Sequence, residues 1–152
     1  MKYKQGDLIQ AYKDNEVDCI MHQIHCQGVG YGGFAGKLQR EFPKCLPLHK
    51  SYQGQFHVYQ DVIFSIGGQK YPGNCTKEDP YDARLHYLIT GIQNIIYLYP
   101  EVKIFRVGIP LIGSGLGADL SMKGNLTDLE YFDKYMAPEL DKLNLNFIAY
   151  YL

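Results

Sequence analysis

Two glycine-rich segments are the places where this chain could do chemistry: Gly28-Val29-Gly30-Tyr31-Gly32-Gly33 and Gly113-Ser114-Gly115-Leu116-Gly117. Each follows a strand-like run, and the first also precedes a helix-like one. Small residues at the carboxyl end of a strand let backbone N–H groups approach a phosphate, and a helix N-terminus adds favourable potential. One such loop alone reads equally well as a tight turn with positive-φ positions. Two, each after a strand, point to a phosphate-bearing ligand gripped from both sides. The first loop satisfies GxGxxG, the dinucleotide fingerprint. Its approach does not fit, because His22, Gln23, His25 and Gln27 interrupt the apolar strand. The segment about twenty residues on, Pro47 to Gln53, also lacks the acid that would hold a ribose. A Walker loop fails because Tyr31 takes the first glycine position before Gly36-Lys37 and Leu38 replaces Ser or Thr.

The elements that must position these loops alternate between two periods. Strands are expected over Val17 to Met21, at Val58-Tyr59 with Val62 to Phe64, over Val102 to Ile109, and over Phe147 to Leu152. A helix is expected from Phe34 to Phe42, with Leu38 and Phe42 on one side and Pro43 stopping it. A second runs from Pro80 to Tyr99, its apolar residues Leu85, Leu88, Ile89, Ile92, Ile95 and Ile96 spaced by three and four. Asp79 is expected to cap that helix and Pro80 to take its first position. A third covers Asp128 to Leu143, interrupted at Pro138. The resulting order, β-β-α-β-β-α-β-α-β, is that of an α/β domain.

Composition bounds the alternatives. The chain has 152 residues, 46% of them hydrophobic and 20% charged, which excludes disorder, collagen and coiled coil as descriptions of the whole. Lys+Arg number 15 against 16 Asp+Glu, a net charge of -1, so general nucleic-acid binding through clustered cations is not expected. Four cysteines without a CxxC pair fit thiols in a reducing compartment rather than zinc ligands or a disulfide framework. Neither a leader pattern nor an apolar run of about 18 residues is found, so a cytoplasmic location without membrane contact is expected. Asp7, His22, His25 and Asp119 show no metal-ligand spacing, and His49, His57 and His86 are scattered, so neither metal nor cofactor is expected. A monomer spanning residues 1–152 is the expected state.

Several blocks together resemble the macro domain family, whose members bind ADP-ribose and its derivatives. They are Gly6-Asp7-Leu8, the run Ile20 to Ala35 (IMHQIHCQGVGYGGFA), Ile109 to Gly117 (IPLIGSGLG) and the closing strand Phe147 to Leu152. The stretch MHQIHCQG…GGFAGKLQREFP looks closest to the compact branch that includes ADP-ribose 1″-phosphate phosphatases. The resemblance implies a single three-layer α/β/α domain with a mixed central sheet of about six strands. It implies that Asp7 accepts from the adenine amino group, with the backbone of Leu8 beside it. The amides of Gly32, Gly33, Phe34 and Ala35 would meet one side of the diphosphate; Gly113, Ser114, Gly115, Leu116 and Gly117 would meet the other.

The departures from the family concern the reactive end. Asparagines are common at the positions of His22 and His25, and here both are histidines. Either imidazole suits proton transfer near neutrality, to activate water or protonate a leaving oxygen. At period two the pair would lie on opposite sides of a strand unless it breaks after His22. Asp119 resembles in placement the family's acidic residue and could orient a histidine or water. A lysine used by a covalent de-ADP-ribosylating branch is not matched, Lys70 being displaced by about two positions. Leu116 precedes Gly117 where many relatives carry an aromatic, and Tyr31 could replace that contact. Two functions follow: removal of a substituent, phosphate being the first choice, from the distal ribose of an ADP-ribose derivative, or binding of such a nucleotide without reaction. A purely structural domain is the third reading, disfavoured by the retained glycines.

Overall fold

The structure, a computed structural model, describes all 152 residues. Its strands are β1 (Lys2–Gln5), β2 (Cys19–His25), β3 (Phe56–Tyr59), β4 (Ile63–Gln69), β5 (Arg106–Ile109) and β6 (Asn146–Tyr151). They form one six-stranded sheet in the order β1-β6-β5-β2-β4-β3. Neighbours are parallel except β3, which runs antiparallel to β4 at the edge. That hairpin turns through Gln60 and Asp61, whose φ values of 52° and 60° match the sense of twist a two-residue hairpin needs.

The helices are α1 (Leu8–Lys13), α2 (Gly33–Glu41), α3 (Tyr81–Leu98), α4 (Leu120–Lys123), α5 (Asp128–Tyr131) and α6 (Ala137–Asp141). Alternation along the strands sorts them into layers. Cys19 and Met21 of β2 face the same core as Phe64, Ile66, Val107 and Ile109, under Leu88, Ile92 and Ile95 of α3. Ile20 and Ile24 face the other side with Ile63 and Tyr150, under Leu8 and Ala11 of α1 and Ala35 and Leu38 of α2. Each fully buried Leu or Ile contributes about 1.5–3 kcal/mol of transfer free energy, so both faces of the sheet must be covered. The three-layer arrangement with a mixed six-stranded sheet is the architecture expected.

Several local expectations are corrected. Residues Pro100–Ile104 form a 3-10 turn rather than strand, so β5 starts only at Arg106. Strand β2 continues through His22 and Gln23 to His25, because β4 pairs with it in parallel register as far as His25 and engages its backbone whatever its side chains are. The helix α1 was not anticipated: it is two turns long, and only Leu8 and Ala11 are buried on it. The last helical region is broken ahead of Pro138, by a π turn at Phe132–Met136, and Pro138 sits in the first turn of α6, where its missing N–H is tolerated. Helix α3 begins at Tyr81 with Pro80 as a cap that offers no side-chain acceptor, so Asp79 does not cap it. No helix is long and apolar enough to cross a membrane.

Candidate functional site

A cleft lies across the carboxyl ends of the parallel strands. Its two lobes have volumes of about 810 and 470 Å³ and share Gly33, Phe34, Pro110, Leu111 and Asp128. Both glycine loops line the smaller lobe, Gly30, Gly32 and Gly33 from one and Gly113, Gly115 and Gly117 from the other. The turns therefore converge on one space.

In the first loop, Gly32 is the N-cap of α2 and supplies no side-chain acceptor, leaving the first-turn amides of that helix to a ligand or water. Gly33 has φ +54°, a left-handed conformation that lets the chain turn sharply into the helix. Tyr31 lines the lobe, yet its hydroxyl donates to the Pro47 carbonyl at 2.7 Å and its ring stacks on His25 at 4.9 Å, so it holds the loop in shape. In the second loop, the Ser114 amide donates to Leu111 O at 3.2 Å and the Ala118 amide to Gly115 O at 3.2 Å. The amides of Gly115, Leu116 and Gly117 have no partner within the chain. Ser114 itself is buried and its hydroxyl donates to Ile112 O at 3.1 Å, so it serves the loop's shape and is absent from the cleft lining. Lys123 Nζ donates to the Ser114 carbonyl at 2.6 Å and pairs with Asp128, which pins that carbonyl to the α4 side.

Asp7 and Leu8 line the larger lobe. Asp7 Oδ1 caps α1, accepting from Ile9 N at 2.9 Å and Gln10 N at 3.4 Å, which leaves Oδ2 able to accept from a ligand. Asp119 caps α4 through the Met122 amide at 3.0 Å and accepts from the Ser121 hydroxyl at 2.6 Å. Those bonds, Ser121's foremost, hold its carboxyl below the usual range, and the residue does not line the cleft. Lys70 also lies outside it, with its ammonium 5.5 Å from the Tyr71 ring centroid.

Both imidazoles line the smaller lobe, because the register of β2 slips between Ile24 and His25. His22 stands opposite Ser65 in the β2–β4 register, and its Nε2 meets Ser65 Oγ at 2.6 Å. It is 1% exposed and its Nδ1 has no partner. Burial drives its pKa down to about 3, so it is neutral at pH 7 and has no charge to lose. His25 Nδ1 accepts from Gln27 N at 3.1 Å, which puts the proton on Nε2, facing Gly30 O at 3.3 Å. Burial lowers its pKa as well. Because His22 is easier to protonate in the unfolded chain than in the folded one, its contribution is complete above about pH 6.5 and drains away toward pH 3. Thermal unfolding followed across that window is expected to lose up to about 1.4 kcal/mol per pH unit from this residue. His22→Gln should flatten the slope; an unchanged slope would mean the imidazole is not buried as described.

The sequence reading missed two supports of the lobe. Asp79, 1% exposed, accepts from Lys70 N at 2.8 Å, Tyr71 N at 2.9 Å and Arg84 Nη2 at 2.9 Å. Arg84, 3% exposed, also donates to Gly73 O at 2.8 Å and Gly117 O at 3.0 Å, stapling the 70–74 loop to the second glycine loop. A signal was present: Arg84 is a cation in the i, i+4 stripe that continues through Leu88 and Ile92. Gln23 Nε2 donates to Gln69 Oε1 at 3.1 Å, bridging β2 and β4 beneath the same lobe. Gly68 and Gly117 admit that bridge, since a Cβ would stand 2.1 Å from Gln23 Oε1 and 2.8 Å from Gln69 Oε1 respectively.

A three-layer α/β/α domain of this strand order, with a cleft between two glycine loops at its carboxyl edge, has the macro domain fold. Among solved structures, the macrodomain of Mycobacterium tuberculosis DarG is similar with a TM-score of 0.64 and 17% identity, over 98% of this chain and 95% of that one. The macrodomain of Thermus aquaticus DarG has a TM-score of 0.59 and 19% identity, over 99% and 97%. In sequence, the chain is 24% identical over 122 residues to the DNA ADP-ribosyl glycohydrolase of Mycobacterium tuberculosis, covering 76% of this chain. That match spans only 34% of the relative's length. No model of a known protein family matches the chain.

Proposed function

We propose that the cleft binds ADP-ribose as the end group of a larger derivative, and that water removes the substituent from its distal ribose. The observation that carries this is the convergence on one lobe of the uncapped α2 N-terminus and the unpaired amides of Gly115, Leu116 and Gly117. Such donors hold a diphosphate without a competing side chain. The adenosine then fills the larger lobe with Asp7 Oδ2 toward the adenine amine, and the distal ribose meets His22 and His25. A phosphate ester and a glycosidic base both attach at C1″ of that ribose; likeness to proteins described as DNA ADP-ribosyl glycohydrolases supports the second.

The three catalytic candidates divide by what their atoms already do. His22, neutral and with an unpartnered Nδ1, is the hydrogen-bonding partner that orients the attacking water, since burial disfavours its charged form. His25 is a positioning residue, since both its nitrogens are engaged within the loop it stacks against. Asp119 acts through α4, whose last residue Lys123 fixes the Ser114 carbonyl. Binding without reaction is the second reading. It is favoured by the engaged His25 and by Asp128 being the one carboxylate on the smaller lobe, already paired with Lys123.

Calorimetry with ADP-ribose, joined to chromatography of ADP-ribose 1″-phosphate and of ADP-ribosylated DNA after incubation, separates these readings. Heat of binding with release of phosphate or of free ADP-ribose, lost in His22→Ala, is expected. Uptake without conversion leaves the binding module, and no heat with any of these nucleotides removes both.

A further inference from the structure

One rim of the smaller lobe is built from three loops knitted across the ends of β2 and β4. Ser51 N donates to Cys26 O at 3.0 Å and Gly54 N to Gly67 O at 2.9 Å, laying the 47–54 segment over those strand ends. Gln27 Nε2 donates to Lys70 O at 2.8 Å and draws in the 70–74 loop. A Cβ on Gly28 would stand 2.3 Å from the His49 carbonyl carbon, so the first glycine loop packs directly on the same segment. The rim is thus held by backbone contacts and by the side chains of Gln27, Gln53, Asp79 and Arg84, while the side chains of Leu48, Lys50 and Tyr52 make no hydrogen bond to it.

Those side chains point to a partner. Leu48 is 73% exposed, Tyr52 79% and Tyr71 42%, and Lys50 and Lys70 are exposed beside them. Between Phe42 and Lys77 the single carboxylate is Asp61, at the β3–β4 turn. Strand β4 separates that turn from the cleft by about 20 Å. In a chain of net charge -1, the exposed side chains of this rim are cations and aromatic faces, and the acid beneath it, Asp79, is buried and paired with Arg84.

We infer that this rim holds the strand of single-stranded nucleic acid to which the ADP-ribosyl group is attached. The inference rests on the reading that the smaller lobe takes the distal ribose, since Gly73 and Asn74 line that lobe immediately after Lys70 and Tyr71. A substituent at C1″ leaves the lobe over these residues. Exposed tyrosines offer stacking faces to unpaired bases, and the lysines meet the phosphates; an acidic peptide would use only the second feature. Whole-chain charge excludes general binding to polyanions, so the strand is held only where the ADP-ribosyl group tethers it.

Fluorescence anisotropy on three probes tests this: free ADP-ribose by competition, a short single-stranded DNA carrying ADP-ribose on one base, and an ADP-ribosylated acidic peptide. The DNA conjugate is expected to bind about tenfold more tightly than ADP-ribose at low salt, the size of one stacked base, with the advantage shrinking as salt rises. Tyr52→Ala/Tyr71→Ala and Lys50→Glu/Lys70→Glu should each erase that advantage and leave the affinity for free ADP-ribose unchanged. Equal affinity for conjugate and free nucleotide overturns the inference, as does an equal gain with the peptide or an advantage that survives both variants. Failure of free ADP-ribose to bind is a different result: it overturns the reading of the cleft itself, and the rim's role falls with it.

Discussion

Gly33→Val and Gly115→Val are each expected to weaken ADP-ribose binding by at least about a hundredfold, read by calorimetry. Loss of two hydrogen bonds to a charged group corresponds to that ratio. A Cβ on Gly33 meets nothing within 4 Å, so valine methyls enter the open cleft and cover the α2 amides. At Gly115 the nearest atom to an added Cβ is Asp128 Oδ2 at 3.5 Å, an ordinary contact, so the fold should tolerate valine while the cleft does not. Position 33 carries a second effect, because its φ of +54° strains any L residue by about 1–2 kcal/mol. Gly124→Val separates the two. Gly124 has φ +51° and ψ -121° at the end of α4, away from the cleft lining, so that variant should lose at least as much stability and still bind normally. Undiminished binding by Gly33→Val and Gly115→Val would remove the two-loop grip and the proposed function with it.

Arg84→Met is expected to destabilise the protein by about 3–5 kcal/mol, the cost of leaving the partner of a buried ion pair behind. For a chain of this size that lowers the melting temperature by roughly 10 °C. The loss should reach the ligand as well, since Arg84 also ties Gly73 and Gly117, which both line the lobe, to one side chain. Combining Arg84→Met with Asp79→Leu should cost less than the sum of the single changes, because the second removes the stranded carboxylate. A melting temperature within about 2 °C of the parent for Arg84→Met would show that the pair is not buried as described.

Both experiments concern groups that differ in how openly the chain announces them. The glycine loops are legible because their signal is local: a small-residue run after an apolar run, with the backbone as the working part. Helix α2 is legible for the same reason, its apolar spacing ending at Pro43, and α3 was placed to within a residue at each end. Helix α1 was not, because two turns with two buried residues give too little periodicity to separate from a loop. Asp79 was misassigned by a sound local rule. An acid ahead of Pro80 could cap α3, but the amides of Lys70 and Tyr71 and the guanidinium of Arg84 compete for it and together outbid a single helix end.

The histidines mark the same boundary. Their presence beside the first loop is plain in the order of residues, and so is the suggestion of proton chemistry. Which nitrogen is free, and whether either ring can charge, is not. His22 is held by Ser65, 43 positions away, and buried under Phe34, while the slip in β2 after Ile24 turns His25 into the same lobe. Short-range patterns of polarity and small residues dictate the α/β order and the two phosphate-sized turns, since those depend on neighbours along the chain. Tautomer, pKa and the Arg84 staple arise only when strands far apart in the chain come into register, because desolvation and hydrogen-bond partners are set by what packs alongside.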